Sequence, residues 1–178
     1  MKKILALLLV LIFMFSFVAC SKTEQGDTTD DASSVVDTQS EQNTDDDSVA
    51  ATLVNDFKEI AKDKNLTAEQ IATKLSENSV IAFGPMVMAV EPGFLTGFVD
   101  YEVKGFSEGA IFSPMIGTIP FVSYVFKLDD GADVEAFKTS LTDNANLAWN
   151  ICTQADQMMV ESVDNTVFFV MSPLSFEE

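Results

Sequence analysis

Any chemistry in this chain has to be done without histidine or arginine, because neither occurs among its 178 residues. Histidine is the commonest general base and the commonest protein metal ligand. Its absence removes Ser-His-Asp and Cys-His nucleophilic sites and nearly all zinc-hydrolase designs. Arginine is the usual bidentate clamp for carboxylate and phosphate, so a dedicated site for an anionic substrate is not expected. Carboxylates, two thiols and thioethers remain. Pairs such as Glu102/Glu108 and Asp129/Asp130 supply the residue types of glycoside hydrolysis, one acid and one base. With 28 acidic residues in the chain, however, such pairs arise by chance, and a domain this small leaves little room for a sugar cleft. Catalysis by Asp/Glu or by Cys152 is therefore the alternative reading, not the expected one.

Three further groups bear on chemistry. Cys152 lies in "WNICTQAD". Read as a helix, that segment puts Ile151, Cys152 and Ala155 on one side, so the thiol is expected inside, where free cysteine behaves as a small hydrophobe. A reactive thiol needs a cationic neighbour or a helix N-terminus, and a Cys-x-x-Cys partner is missing. Trp149, on the same wheel, points away from Ile151 and Ala155 and sits beside Thr153 and Asp156. It is the candidate contact residue for a partner or a sugar ring; if the segment is a loop, Trp149 caps the core instead. Met86, Met88, Met115, Met158, Met159 and Met171 could bind a soft metal through thioethers. All lie in apolar runs, so core packing is expected and no metal site is assigned.

The first twenty residues set the location. Met1-Lys2-Lys3 is a short positive start, Ile4–Val18 is apolar, and Ala19 is the small residue that precedes a signal-peptidase cut. The apolar run is short for a spanning helix. "Phe17-Val18-Ala19-Cys20" resembles the bacterial lipobox, with Phe17 where leucine is usual. The resemblance implies cleavage between Ala19 and Cys20 and a covalent lipid on the Cys20 thiol, with no other cofactor. A diacylglycerol provides the two chains that stable anchoring needs. The chain is then held at the outer face of the cell membrane, and Cys152 has no cysteine partner.

Charge narrows the partners. The chain carries −18, and losing Lys2 and Lys3 with the leader makes that −20. Nucleic acid is excluded, since phosphate binding rests on Lys and Arg. Residues 20–48 read as an acidic, disordered tether without aromatics. Calcium binding by Asp27, Asp30, Asp31 or Asp45–Asp47 is the rival reading, but the EF-hand spacing and glycine are missing.

Residues 49–178 read as one globular domain of about 130 residues, enough for a real core. Leu53, Phe57, Ile60 and Ala61 mark a first helix ending by Asn65. Thr67 and Gln70 form a capping box for a second that runs to about Glu77. "SVIAFGPMVMAV" reads as strand, broken at Gly84-Pro85. Val99, Tyr101 and Val103 alternate as in a half-buried strand. "GAIFSPMIGTIPFVSYVFKL" gives two strands about Gly117-Thr118, the second (Ile119–Leu128) apolar on both faces and so central. A helix capped near Asp130 carries Val134, Phe137 and Leu141 inward. "MMVESVDNTVFFVM" is a hairpin turning at Asp164-Asn165. The expected class is α+β, a mainly antiparallel sheet with helices on at least one face.

The segments "TAEQIATKL", "FSEGAIFSP", "SYVFKLDDGADVEAFKTSL" and "MMVESVDNTVFFVMS" resemble a family of small lipoproteins of Gram-positive anaerobes that carry a domain of unknown function. The resemblance spans Thr67 to Ser172 and implies fold and envelope location; it implies no chemistry. The expected function is a membrane-tethered, non-catalytic binding module. Loops near Pro85–Phe98 and Trp149 would meet an envelope protein or glycan. A structural envelope protein without a ligand is the remaining alternative.

Overall fold

The computed structural model describes residues 47–176. The leader, Ala19, Cys20 and the tether up to residue 46 lie outside the described residues. Three helices and seven strands follow in the order α1 (Val49–Ile60), α2 (Ala68–Ser76), β1 (Pro85–Val90), β2 (Gly93–Phe94), β3 (Glu102–Val103), β4 (Phe106–Pro114), β5 (Val122–Leu128), α3 (Val134–Asn144), β6 (Gln157–Val163) and β7 (Thr166–Ser172). Five strands form an antiparallel sheet ordered β1-β4-β5-β7-β6, and β2 and β3 form a small ribbon. The class is α+β, as the sequence indicates.

Period-two alternation in the central strands divides the core in two. Ala110, Phe112, Val125, Phe168 and Val170 face α1 and α2, with Leu53, Phe57, Ile71 and Leu75. Ile111, Tyr124, Phe126, Phe169 and Met171 face the other way, towards Phe137 and Leu141 of α3. Because β5 and β7 lie in the middle of the sheet with both faces covered, they read as nearly continuous apolar runs. Helices thus cover both faces.

Local chemistry fixes the ends of the elements. Ser48 caps α1 by accepting from Ala51 N–H. Thr67 and Gln70 close the expected capping box on α2. The cap of α3 is Asp133, three residues beyond Asp130, and it accepts from Ala136 N–H. The Asp164-Asn165 turn holds Asp164 at φ 52°, a left-handed conformation that Asp tolerates better than most residues.

Four expected boundaries move. Helix α1 ends at Ile60, because Asp63 accepts from Asn65 N–H and forms a turn ahead of Asn65. Residues 79–84 are not strand, since the Asn78 side chain and carbonyl capture the N–H groups of Val80 and Ile81. Strand β5 starts at Val122 and not at Ile119; Pro120 has no N–H to give a ladder. The alternating run at Val99–Val103 keeps a ladder only at Glu102–Val103. Gly97 and Asp100 sit at φ 95° and 50°, and they turn the chain instead.

The two edges of the sheet differ. At β6, Glu161 meets Lys58 of α1 at 2.9 Å and Lys138 of α3 at 3.8 Å, so both layers are pinned to that edge. Among the described residues the β1 edge pairs only with β4.

Candidate functional site

Antiparallel register brings one set of strand ends together: Pro85 opposite Pro114, Ser123 opposite Phe112, Val122 opposite Met171, and Ser172 opposite Gln157. At this end the β4–β5 connection carries no charge, and the α3–β6 connection carries only Asp156 at its close. Residues 109–126, 144–155 and 165–176 contain no Asp, Glu or Lys, in a chain with 28 acids. Asp156 borders this end, where its carboxylate accepts from Leu174 N–H.

Two loops build the tip. Residues 115–121 join β4 to β5, and 145–156 join α3 to β6. Asn150 donates its side-chain N–H to the Gly117 carbonyl, and Thr153 donates its hydroxyl to Thr118 at 3.3 Å, which zips the loops together. The second loop closes on itself: Ala155 N–H donates to Leu147 O at 2.9 Å, Trp149 N–H to Asn146 O, and Ala148 N–H to the Asn146 side chain. A third segment, 93–103, lies across the α3 side of the sheet. Asn146 N–H bonds the Gly97 carbonyl, Phe98 bridges Ala145, and the Tyr124 hydroxyl donates to Thr96 O at 2.9 Å. Gly97 is required here. Its φ is +95°, and a Cβ would sit 2.6 Å from Met171 Cε.

Between these segments runs a groove of about 340 Å³. Thr96, Ile111, Pro114, Phe121, Trp149 and Ile151 line it. Trp149 is half-buried and packs on the α3-side core. Around it the tip exposes Ile151 (99 %), Met115 (73 %), Ile116 (69 %) and Leu174 (45 %). Met86 and Met88, opposite Ser113 and Ile111 in register, extend the apolar surface across β1. Beneath it Phe121 is buried among Phe83, Phe112 and Phe176, with ring centroids 5.1–6.2 Å apart.

Two expectations are corrected here. Residues 145–155 are not a helix. Asn146 captures nearby backbone N–H groups, and residues such as Trp, Ile, Cys and Thr favour the helix weakly. The Cys152 thiol, expected inside, is therefore exposed, and so is Ile151; only Ala155 of that stripe is buried. The methionines are not uniformly core either. Met171 is buried and Met158 and Met159 are partly so, while Met86, Met88 and Met115 are exposed. Trp149 both caps the core and borders the groove, so it is the one named contact residue that the structure brings into a cavity. The sequence signal for the rest was the run of charge-free segments, which strand pairing gathers at one end.

The opposite end holds a polar cleft of about 500 Å³. Glu108, Asp129 and Asp130 line it, with Asp63, Lys64, Lys127 and Asp164. Of the carboxylate pairs considered for catalysis, Asp129 and Asp130 both line this cleft, whereas Glu102 and Glu108 part company. Glu108 accepts from Ala68 N–H at 3.1 Å, satisfying a free donor at the start of α2, whereas Glu102 pairs with Lys104. Asp164 pairs with Lys64 at 2.7 Å. Among the described residues no group of three or more Cys, Asp or Glu side chains is arranged to hold a metal ion, and no helix is long and apolar enough to cross a membrane.

Fold and site together define an α+β domain with an apolar, aromatic-lined groove at one end of an antiparallel sheet. No family model, curated protein or solved structure matches the chain.

Proposed function

We propose that the chain is a lipoprotein of the outer face of a cell membrane, anchored by lipid on Cys20, whose domain acts by binding. The tip around Trp149 is the contact surface. The observation that carries this reading is the segregation of exposed Ile151, Met115 and Ile116 about a groove whose lining holds no charged side chain. Exposed apolar side chains grouped around a concave site mark an interaction surface, whereas singly scattered ones do not. The groove offers few charged or polar groups to hold a sugar, so an apolar partner fits it better than a glycan.

Two measurements test the reading. An environment-sensitive apolar dye should bind the native domain and accept excitation energy from Trp149, the only tryptophan. Trp149→Ala should weaken dye binding roughly tenfold and lower stability by about 1–2 kcal/mol, less than for a fully buried ring. A dye that binds wild type and Trp149→Ala equally would place the contact surface elsewhere. For the anchor, Cys20→Ala should leave the precursor uncleaved or release the protein from membranes. Full membrane retention of a cleaved Cys20→Ala chain would refute lipidation.

A further inference from the structure

The start of the domain lies at the apolar end. Val49 N–H, in the first turn of α1, donates to Leu174 O at 3.0 Å, just past the end of β7. Leu174 N–H in turn bonds the Asp156 carboxylate at 3.1 Å. The chain arriving from Cys20 therefore joins the domain beside Leu174, one of the exposed apolar side chains of the tip. From Cys20 through Asp46 there are 27 residues. As a coil that length spans roughly 30 Å, and fully extended roughly 90 Å. The tip is thus within easy reach of the surface that holds the anchor, and tethering raises its effective concentration there.

We propose that this end of the domain docks on the lipid bilayer itself, inserting Met115, Ile116 and Ile151 with Trp149 at the interface. The inference rests on the anchored-module reading and names its partner. Three observations select a lipid surface. The apolar side chains project from loop tips, with Ile151 almost completely free, which suits insertion into a soft surface. Trp149 has an apolar ring and an N–H, the pairing that favours the membrane–water boundary. No lysine lies in the three uncharged segments, so contact depends on burying apolar surface and not on attracting anionic headgroups. A second copy fits less well. A stable dimer buries about 800 Å² a side, and pairing would bring together two chains that each carry −20 once Lys2 and Lys3 are lost from the −18 of the full sequence.

The charge distribution sets an unusual signature. A polybasic segment binds anionic lipid and is released by salt. Here the acidic domain is repelled by anionic headgroups, so binding is stronger on neutral lipid, and salt strengthens binding to anionic lipid by screening.

The test uses the full mature chain, residues 20–178, carrying Cys20→Ser so that no lipid is attached. It is floated with phosphatidylcholine vesicles and with vesicles containing phosphatidylglycerol. The expected result is co-flotation with phosphatidylcholine, a blue shift of Trp149 emission, and quenching by lipids brominated on the acyl chain. Binding should be weaker on phosphatidylglycerol and recover with salt. Ile151→Asp combined with Met115→Asp should reduce the bound fraction at least tenfold with an unchanged melting temperature. Asp130→Asn, at the other end, should leave it unchanged. Absence of co-flotation on every composition would overturn the proposal. So would binding confined to phosphatidylglycerol and lost with salt, or a concentration-dependent dimer abolished by the same double substitution. If flotation fails while the dye still reports the groove, the binding reading survives and only the bilayer partner falls.

Discussion

At one end of the sheet β4 and β5 leave as Glu108 and Lys127; at the other the same two strands leave as Pro114 and Val122, with no charged side chain between them. The polar end closes around paired and capping carboxylates. The apolar end leaves isoleucine and methionine facing water. Both ends terminate the same core, so folding alone does not require the asymmetry. Placing acids at both ends would satisfy the strands equally well and raise solubility. One end thus groups exposed apolar side chains around an uncharged groove in a chain otherwise crowded with carboxylates, the pattern of an interaction surface.

The largest effect should come from the packing beneath the apolar end. Phe121→Ala removes a ring that is 2 % exposed and lies against Phe83 and Phe112. It should cost about 3–5 kcal/mol in urea unfolding. A loss below about 1 kcal/mol would mean that this end is loosely assembled, and the contrast between the ends would become one of order and not of chemistry. At the polar end, Glu108→Ala should cost about 1 kcal/mol by freeing Ala68 N–H. Glu108→Gln, which keeps a carbonyl acceptor, should retain most of the stability. If both variants match wild type, Glu108 has no structural duty, and the polar cleft becomes the better place to look for chemistry.

The smallest effect is a titration. Partial burial opposes ionisation of Glu161; the Lys58 ammonium, the Ser162 N–H and Lys138 outweigh it and hold its pKa below the usual value near 4.5. A lowered carboxylate stabilises the fold above its unfolded pKa, and that contribution disappears as the pH falls through the folded value. Wild type should therefore lose more stability than Glu161→Gln below about pH 4.5. The difference should be under about 1 kcal/mol, because the pair is partly exposed and screened by solvent. No difference between the two acid-unfolding curves would show that β6 is held by packing alone. Tyr124 behaves oppositely. Its burial pushes the phenol well above the ordinary value, so its contribution is intact below about pH 10 and declines above it.

Local rules carried the elements well. The Thr67/Gln70 box, the inward Phe137 and Leu141, the Asp164-Asn165 turn and the doubly apolar β5 each rest on interactions among neighbours in sequence, or on burial that leaves a periodic trace. The apolar tip left no such trace. Its parts are some 30 residues apart along the chain, and strand register alone joins them. Helical periodicity also misplaced Cys152, because the spacing of Ile151 and Ala155 fits a helix while the side chain of Asn146 favours a turn. Apolar runs at Met86 and Met115 look like core in one dimension; an edge strand and a loop tip expose them in three.

The free edge of β1 has one more consequence. Along "PMVMAV" the backbone groups that face away from β4 have no strand partner among the described residues, and the one adjoining charge is Glu91 at the far end; such an edge is a template for strand addition by another chain. Pro85 blocks only its first position. Copies confined to a plane by the proposed Cys20 anchor would meet often, and mutual repulsion between strongly acidic chains would hold them apart. On that footing the acidic surface would supply edge protection to β1, and neutralising it by acid or by concentrated divalent ions would lower the barrier to edge-to-edge sheet growth.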